Sequence, residues 1–193
     1  MAKAVSQEIR ESWSPRRYEI GKHLIDIVTS GMYSNPLMVL REYIQNAADS
    51  IDEAKSSGLI GEKQGYIKIH LDGLNRKITI YDNGLGVECE MAEDLLCSIG
   101  ASKKTLLQRG FRGIGRLGGI GYCDALDFRS KARGEKEVTL VHWDCVRLKK
   151  LLNGSNGRIS IKQAIRDAVR VKYEKAKVTD QDHYFQIVMH DVH

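Results

Sequence analysis

The spacing of apolar residues changes after Gly58, and that change restricts the folds open to this chain. Up to Gly58 the apolar positions recur at helical intervals. Ser14-Pro15 reads as a cap followed by proline at the first helical position, with Ile20, Leu24, Ile27 and Val28 repeating up to Gly31. Asn35-Pro36 opens a second helix through Leu37, Leu40, Ile44, Ala47, Ala48 and Ile51, ending near Ser57-Gly58. From Tyr66 the pattern becomes that of strands: Ile67, Ile69 and Leu71, a turn at Gly73-Leu74-Asn75, then Ile78, Ile80 and Tyr81. Asp82-Asn83-Gly84 breaks the second strand abruptly. A short helix over Met91 to Ile99 follows, then a glycine-rich stretch from Gly100 to Gly121. Strands are expected at Ala125 to Ser130, Val138 to Trp143 and Tyr184 to Val192, with a helix from Ile161 to Ala176. Helices mixed with hairpins predict an α+β fold, a two-layer α/β sandwich with helices on one face of a mixed, mostly antiparallel sheet.

A length of 193 residues predicts one domain, residues 1–193, large enough to bury a core without staples. The chain stops just after an apolar strand, which suits a natural end and a cut piece of a longer protein equally. The longest uncharged stretch, Ile27 to Leu40, is too short to span a bilayer, so no membrane partner is expected. The first residues have no apolar core of the kind a secretory signal needs. Cys89, Cys97, Cys123 and Cys145 lie far apart without a CxxC pair, which argues against a disulfide framework or a structural zinc and favours a reducing, cytoplasmic setting. His190-x-x-His193 has metal-ligand spacing only on a helix, and it falls on an expected strand. Trp13 suits packing on the core or a swapped N-terminal arm, and Arg147 to Lys150 suits a solvated helix face.

Three short motifs carry the chemistry. On the second helix Glu42, Asn46 and Asp49 fall within roughly 60° of one another. Such a trio suits a solvated face, or a site where an Asn oxygen meets a hydrated Mg²⁺ and a carboxylate one turn earlier polarises a water. After the second strand come Asp82, Gly84 and Gly86. They suit an exposed Asx turn, or a buried carboxylate that accepts from an exocyclic amine such as adenine's, with glycines leaving room for a flat ligand. Gly110, Gly113 and Gly115 form GxxGxG, weak alone and lacking the parallel βαβ context of a dinucleotide site, yet suited to cradling phosphate.

In this order and on these elements, the three motifs resemble the boxes of the Bergerat ATP-binding fold of the GHKL superfamily, from about Tyr18 to Ser130. Gyrase, the ninety-kilodalton heat-shock chaperone, sensor histidine kinases and MutL share that fold. The resemblance implies ATP and Mg²⁺ as ligands. By it Glu42 would be the general base, Asn46 the Mg²⁺ ligand and Asp49 a hydrogen-bonding support. Asp82 would read the adenine amine beside Gly84 and Gly86. Gly110, Phe111, Arg112, Gly113, Ile114 and Gly115 would hold phosphate, and residues 98–105 would form a mobile lid offering Ser102, Lys103 and Lys104.

LREYIQNAADSIDEA is most similar to the chaperone branch, while GFRGIGRL is similar to MutL and MORC-type sequences. The resemblance therefore implies a slow ATPase that closes its lid and dimerises on ATP within the full-length protein, acting on a protein client. A nucleotide-gated interaction module, a DNA-associated ATPase and, given Glu42, less readily a histidine-type kinase are the alternatives. The family's Gly-Thr pair entering the late strand has no clear counterpart in His183-Tyr184-Phe185, and the catalytic Lys or Arg that such ATPases often supply from a following domain would lie beyond residue 193. The formal charge of +5 comes from Lys103, Lys104, Arg109, Arg112 and Arg116, between Leu95 and Cys123, where no acidic residue stands. It reads as a local field for a triphosphate and leaves a nucleic-acid partner open without requiring one.

Overall fold

The computed structural model describes residues 10–12, 35–97, 115–154 and 160–193. The first expected helix, Trp13, the lid, and the phosphate residues Gly110 to Ile114 lie outside the described residues.

Asn35 and Pro36 open α1, Leu37–Ser56, as expected. The Asn35 side chain accepts from the Leu37 N–H at 3.0 Å, which satisfies one of the donors a helix start leaves unpaired. At the other end Gly58 has φ +71°, and the Leu59 and Gly58 N–H groups return to the carbonyls of Ala54 and Lys55. That pair of bonds is a Schellman closure, and the left-handed residue it requires is why a glycine stands there. β2, Ile67–Asp72, and β3, Lys77–Asp82, form the expected hairpin. Asp72 holds its turn by accepting from both the backbone and the side-chain amide of Asn75.

The remaining elements are α2, Cys89–Leu96; a 3-10 helix, Gly115–Gly121; β4, Ala125–Lys131; β5, Glu137–Asp144; α3, Cys145–Gly154; α4, Ile161–Ala168; β6, Val169–Lys175; and β7, Tyr184–His190. A short strand, β1, Arg10–Ser12, pairs with β6. The sheet order is β1-β6-β5-β4-β7-β3-β2, and every pairing among the described strands is antiparallel.

One expectation fails in part. The helix expected over Ile161 to Ala176 ends at Ala168, and residues 169–175 are a strand. Val169 is already extended at φ −111°, ψ 138°, so helix passes into strand with no loop between them. Val169, Val171 and Tyr173 alternate with Arg170, Lys172 and Glu174, a period-2 pattern that runs straight on from a helical one.

The inner face of the sheet carries Ile80, Ile187, Phe128, Val141 and Val171 in one cross-strand row, with Met189, Leu126, Trp143 and Val169 in the next. Tyr43 of α1, Leu96 of α2, Leu117 and Ile120 of the 3-10 helix, Leu148 of α3 and Ile165 of α4 close over these rows in one continuous core. Each such side chain contributes about 1.5–3 kcal/mol by leaving water. The Trp143 ring, fully buried, donates from Nε1 to the Leu96 carbonyl at 3.2 Å and so caps α2.

The opposite face is polar. At its centre Asp127 accepts from His142 Nδ1 at 2.6 Å on one oxygen and from His190 Nε2 at 2.7 Å on the other. His193 meets Asp124 at 3.2 Å, so the two histidines of His190-x-x-His193 go to different carboxylates and form no metal pair. Burial works to raise the Asp127 carboxyl, but the hydrogen bonds and charges of His142 and His190 outweigh it and hold the group below its usual range. The same hydrogen bond raises His142, with Asp144 adding to the effect and Arg170 opposing it. A depressed carboxylate stabilises above its unfolded value, and a raised histidine stabilises below its own. Both operate in the window between the lowered Asp127 titration and the raised His142 titration. Replacing Asp127 by Ala should therefore destabilise the fold more at about pH 6 than at about pH 9 in urea titrations. An equal loss at both would remove the charge-assisted part of this account.

Candidate functional site

α1 divides its surface between packing and chemistry. Val39, Tyr43, Ala47, Ile51 and Ala54 are buried. Glu42, Asn46 and Asp49 run alongside this stripe and are half-buried. The helix thus lies along the core with its polar trio turned to one edge, and the two ends of that edge meet different loops.

At the far end is the turn after β3. Asp82 is only 3% exposed, and the Gly84 N–H donates to its Oδ1 at 2.9 Å. The geometry is that of an Asx turn, but a buried one. Burial pushes the carboxyl up to about 7, against the lowering pull of the Gly84 N–H. Asn83 braces the turn from one side: its Oδ1 accepts from the Tyr66 N–H at 2.8 Å and its Nδ2 donates to the Gln64 carbonyl at 2.9 Å. Ser50 of α1 braces it from another, accepting from the Leu85 N–H at 3.0 Å. A side chain at Gly84 would strike Ser50, and one at Gly86, where φ is +70°, would strike the Lys131 carbonyl. Both glycines are therefore required by close approach. Val87 N–H donates to Ser130 Oγ at 2.7 Å, which lays the segment over the ends of β4 and β7.

Asp82 stands opposite Phe185, and Phe185 opposite Ser130. The residue beside the carboxylate on β7 is thus an aromatic ring, packed on Phe128 with centroids 6.0 Å apart. In this register the neighbour of Asp82 on β7 is apolar.

At the near end of α1, the Glu42 carboxylate lies so close to Gly115 that a side chain there would collide with it. Next to it the Tyr43 hydroxyl accepts from the Gly119 N–H at 2.9 Å. These contacts tie the 3-10 helix, the last part of the glycine-rich stretch, to α1. Asp49 accepts from Gln45 Nε2 at 2.8 Å. Glu42 and Ser50 are eight residues apart, so about 12 Å of helix separates the two ends.

Of the expected site residues, the fold sets Glu42, Asn46 and Asp49 on this edge, Gly115 against Glu42 and Gly84, in the Asp82 turn, against Ser50, while Gly86 lies against Lys131 of β4 and Tyr184 of β7. Ser102, Lys103, Lys104, Gly110, Phe111, Arg112, Gly113 and Ile114 lie outside the described residues. Among the described residues no group of three or more His, Cys, Asp or Glu is placed to hold a metal. A Mg²⁺ that keeps several waters and takes its other ligands from phosphate needs only one or two protein oxygens. Asn46, one turn from Glu42, fits that need. The residues that sequence reasoning passed over are Ser50, Asn83 and Tyr43, which hold the turn and the 3-10 helix in place.

The family described as histidine kinase-, DNA gyrase B- and HSP90-like ATPases matches residues 33–180. The chain belongs to this family. Its first two motifs lie on α1 and in the turn after β3, the elements expected for them, and the family makes it an ATP-binding ATPase domain. Curated relatives include the chaperone protein HtpG of Acinetobacter baylyi, 28% identical over 165 residues, which is 75% of this chain and 24% of that protein. HtpG of Bacillus licheniformis is 33% identical over 135 residues, 61% of this chain and 21% of that protein. HtpG of Natranaerobius thermophilus is 39% identical over 79 residues, 38% of this chain and 13% of that protein. The chain thus spans about a quarter or less of the length of the curated relatives it matches.

Holding Asp82 in a dry site costs stability. Its unfolded form ionises near 3.8, whereas the folded chain keeps the proton up to about 7. Folding therefore loses free energy as pH rises between those values, and the loss levels off above the upper one. Asp82→Asn, which keeps the acceptor for Gly84, should raise the thermal midpoint of the ligand-free chain at about pH 8 by several degrees and clearly less at about pH 5. An equal or lower midpoint at about pH 8 would contradict a strained carboxylate.

Proposed function

We propose that the chain binds ATP with Mg²⁺ along the polar edge of α1 and hydrolyses it slowly, as one nucleotide-binding unit of a cytoplasmic HtpG-like chaperone. The observation that carries this reading is the pairing of a buried acceptor, Asp82, at one end of α1 with the Glu42 carboxylate, set against Gly115, at the other. Asp82, with one internal donor, accepts the adenine amine, and Gly84 and Gly86 leave the flat base room to approach. Glu42, beside Gly115, takes a proton from the attacking water. Asn46 supplies an oxygen to the Mg²⁺, which when bound neutralises phosphate charge. Asp49 holds the trio's outer end. Ser102, Lys103 and Lys104, with Gly110, Phe111, Arg112, Gly113, Ile114 and Gly115, surround the phosphates.

Phosphoryl transfer asks the protein for positioning and charge more than for covalent chemistry, so a single well-placed base suits hydrolysis. Lid closure, ATP-driven homodimerisation and a protein client are part of this proposal, by the resemblance to the heat-shock-chaperone branch. A cation from a following domain would be needed for full turnover, so phosphate release by this chain is expected to be slow.

Calorimetry with Mg-ATP and a phosphate-release assay test the roles separately. Glu42→Ala should leave ATP affinity within about threefold of wild type while lowering turnover by about 100-fold or more. Asp82→Asn should weaken ATP binding by about 10- to 100-fold, the loss expected for a hydrogen bond to a charged group. Labelled γ-phosphate accumulating on protein rather than in solution would overturn the hydrolytic assignment.

A further inference from the structure

The turn that carries Asp82 has a further brace, from a part of the chain almost 100 residues later. His183, half-buried in front of β7, places its Nδ1 2.6 Å from the Gly84 carbonyl. A carbonyl only accepts, so the proton of this bond is on Nδ1. Gly84 is then held at both of its polar groups: its N–H on Asp82 and its carbonyl on His183.

His183 is itself held from behind. The buried Lys131 donates from Nζ to the carbonyl of Asp182 at 2.6 Å and sits 3.6 Å from its carboxylate. Arg133 reaches the same carboxylate at 3.6 Å, and Arg129 meets Asp180 at 3.5 Å. The Lys177 and Asp180 backbone and side chain close the turn on themselves. On the other side Tyr184 is already paired with Lys131 in the sheet. The segment before β7 is therefore clamped to β4, and His183 is the point at which it touches the turn after β3.

We propose that His183 is a positioning residue for base recognition. Its Nδ1–H fixes the Gly84 peptide, which keeps the Gly84 N–H on Asp82 Oδ1 and leaves the second carboxylate oxygen directed at the ligand. The inference rests on the reading of this site as an adenine-nucleotide site. It assigns no contact between His183 and the nucleotide, and it makes the residue's effect depend on the position of one donor atom rather than on ring size or charge.

The test uses the 193-residue chain and Mg-ADP and Mg-ATP titrations of wild type, His183→Ala, His183→Asn and His183→Gln. An asparagine amide can present a donor where Nδ1 stands, and a glutamine amide reaches instead toward Nε2. Loss of the bond in His183→Ala should weaken both nucleotides by about tenfold, as should His183→Gln, while His183→Asn stays within about threefold of wild type. Far-UV circular dichroism checks that each variant is folded. Wild-type affinity in His183→Ala would overturn the proposal. So would equal losses in the Asn and Ala variants, because a space-filling role would not separate Asn from Gln in this order. If wild type itself binds neither nucleotide, the site reading fails and this inference with it; if wild type binds and the variants do not follow the stated order, only the role of His183 fails.

Discussion

The burial of one carboxylate at the end of β3 sets the terms for the structure around it. Removing Asp82 from water with a single internal donor among the described residues is unfavourable, and the raised titration of the group expresses that cost. A chain folded for stability alone would place an apolar or amide side chain there. Holding the carboxylate dry requires the following turn to be fixed, because movement of a residue or two would let water in. The turn is accordingly tied to the β2 approach by Asn83, to α1 by Ser50, to β4 by Ser130 and to the segment before β7 by His183. Gly84 and Gly86 follow from the same requirement, since the turn can approach α1 and β4 this closely only without side chains.

The antiparallel sheet makes this possible by separating two tasks. Its inner rows bury large apolar side chains under the helices, and this supplies the stability from which the cost at Asp82 is drawn. α1 takes part in both tasks. One stripe packs into the core, and the neighbouring stripe carries Glu42, Asn46 and Asp49. Because the helix is rigid and braced at Tyr43 and Ser50, it fixes the distance between the Asp82 turn and the Glu42 end. Any ligand that engages both ends has its length set by the helix.

What the sequence made legible follows from how local each signal is. α1 was readable from Asn35-Pro36 to Gly58 because its cap, its apolar period and its closing glycine all lie within it. The β2–β3 hairpin was readable for the same reason. β6 was not, because α4 runs into it without a glycine, proline or turn residue, and Ala168-Val169 suits either period. β1 is three residues long and exists through its pairing with β6, which no local pattern records. In the site, Glu42, Asn46 and Asp82 were legible as motifs, while the residues that hold them were not. Ser50 looks like the end of a helical polar face, and Asn83 like an ordinary turn residue. His183 acts on Gly84 across 99 positions, a relation created only when β7 inserts between β3 and β4.

On the reading proposed above, the two ends of α1 differ in what they can sense. The Asp82 end is tied down from several directions before any ligand arrives, and ATP and ADP present the same base to it. A site that meets two ligands alike cannot discriminate between them, however tightly it holds each. Any response to the state of the nucleotide must then arise at the Glu42 and Gly115 end, where the ligands differ by one phosphate. There the carboxylate lies directly against Gly115, the first residue of the 3-10 helix, so a phosphate and its cation entering beside Glu42 would act on the same element that Tyr43 holds. On that reading the Asp82 end would supply affinity and the Glu42–Gly115 end the difference between states.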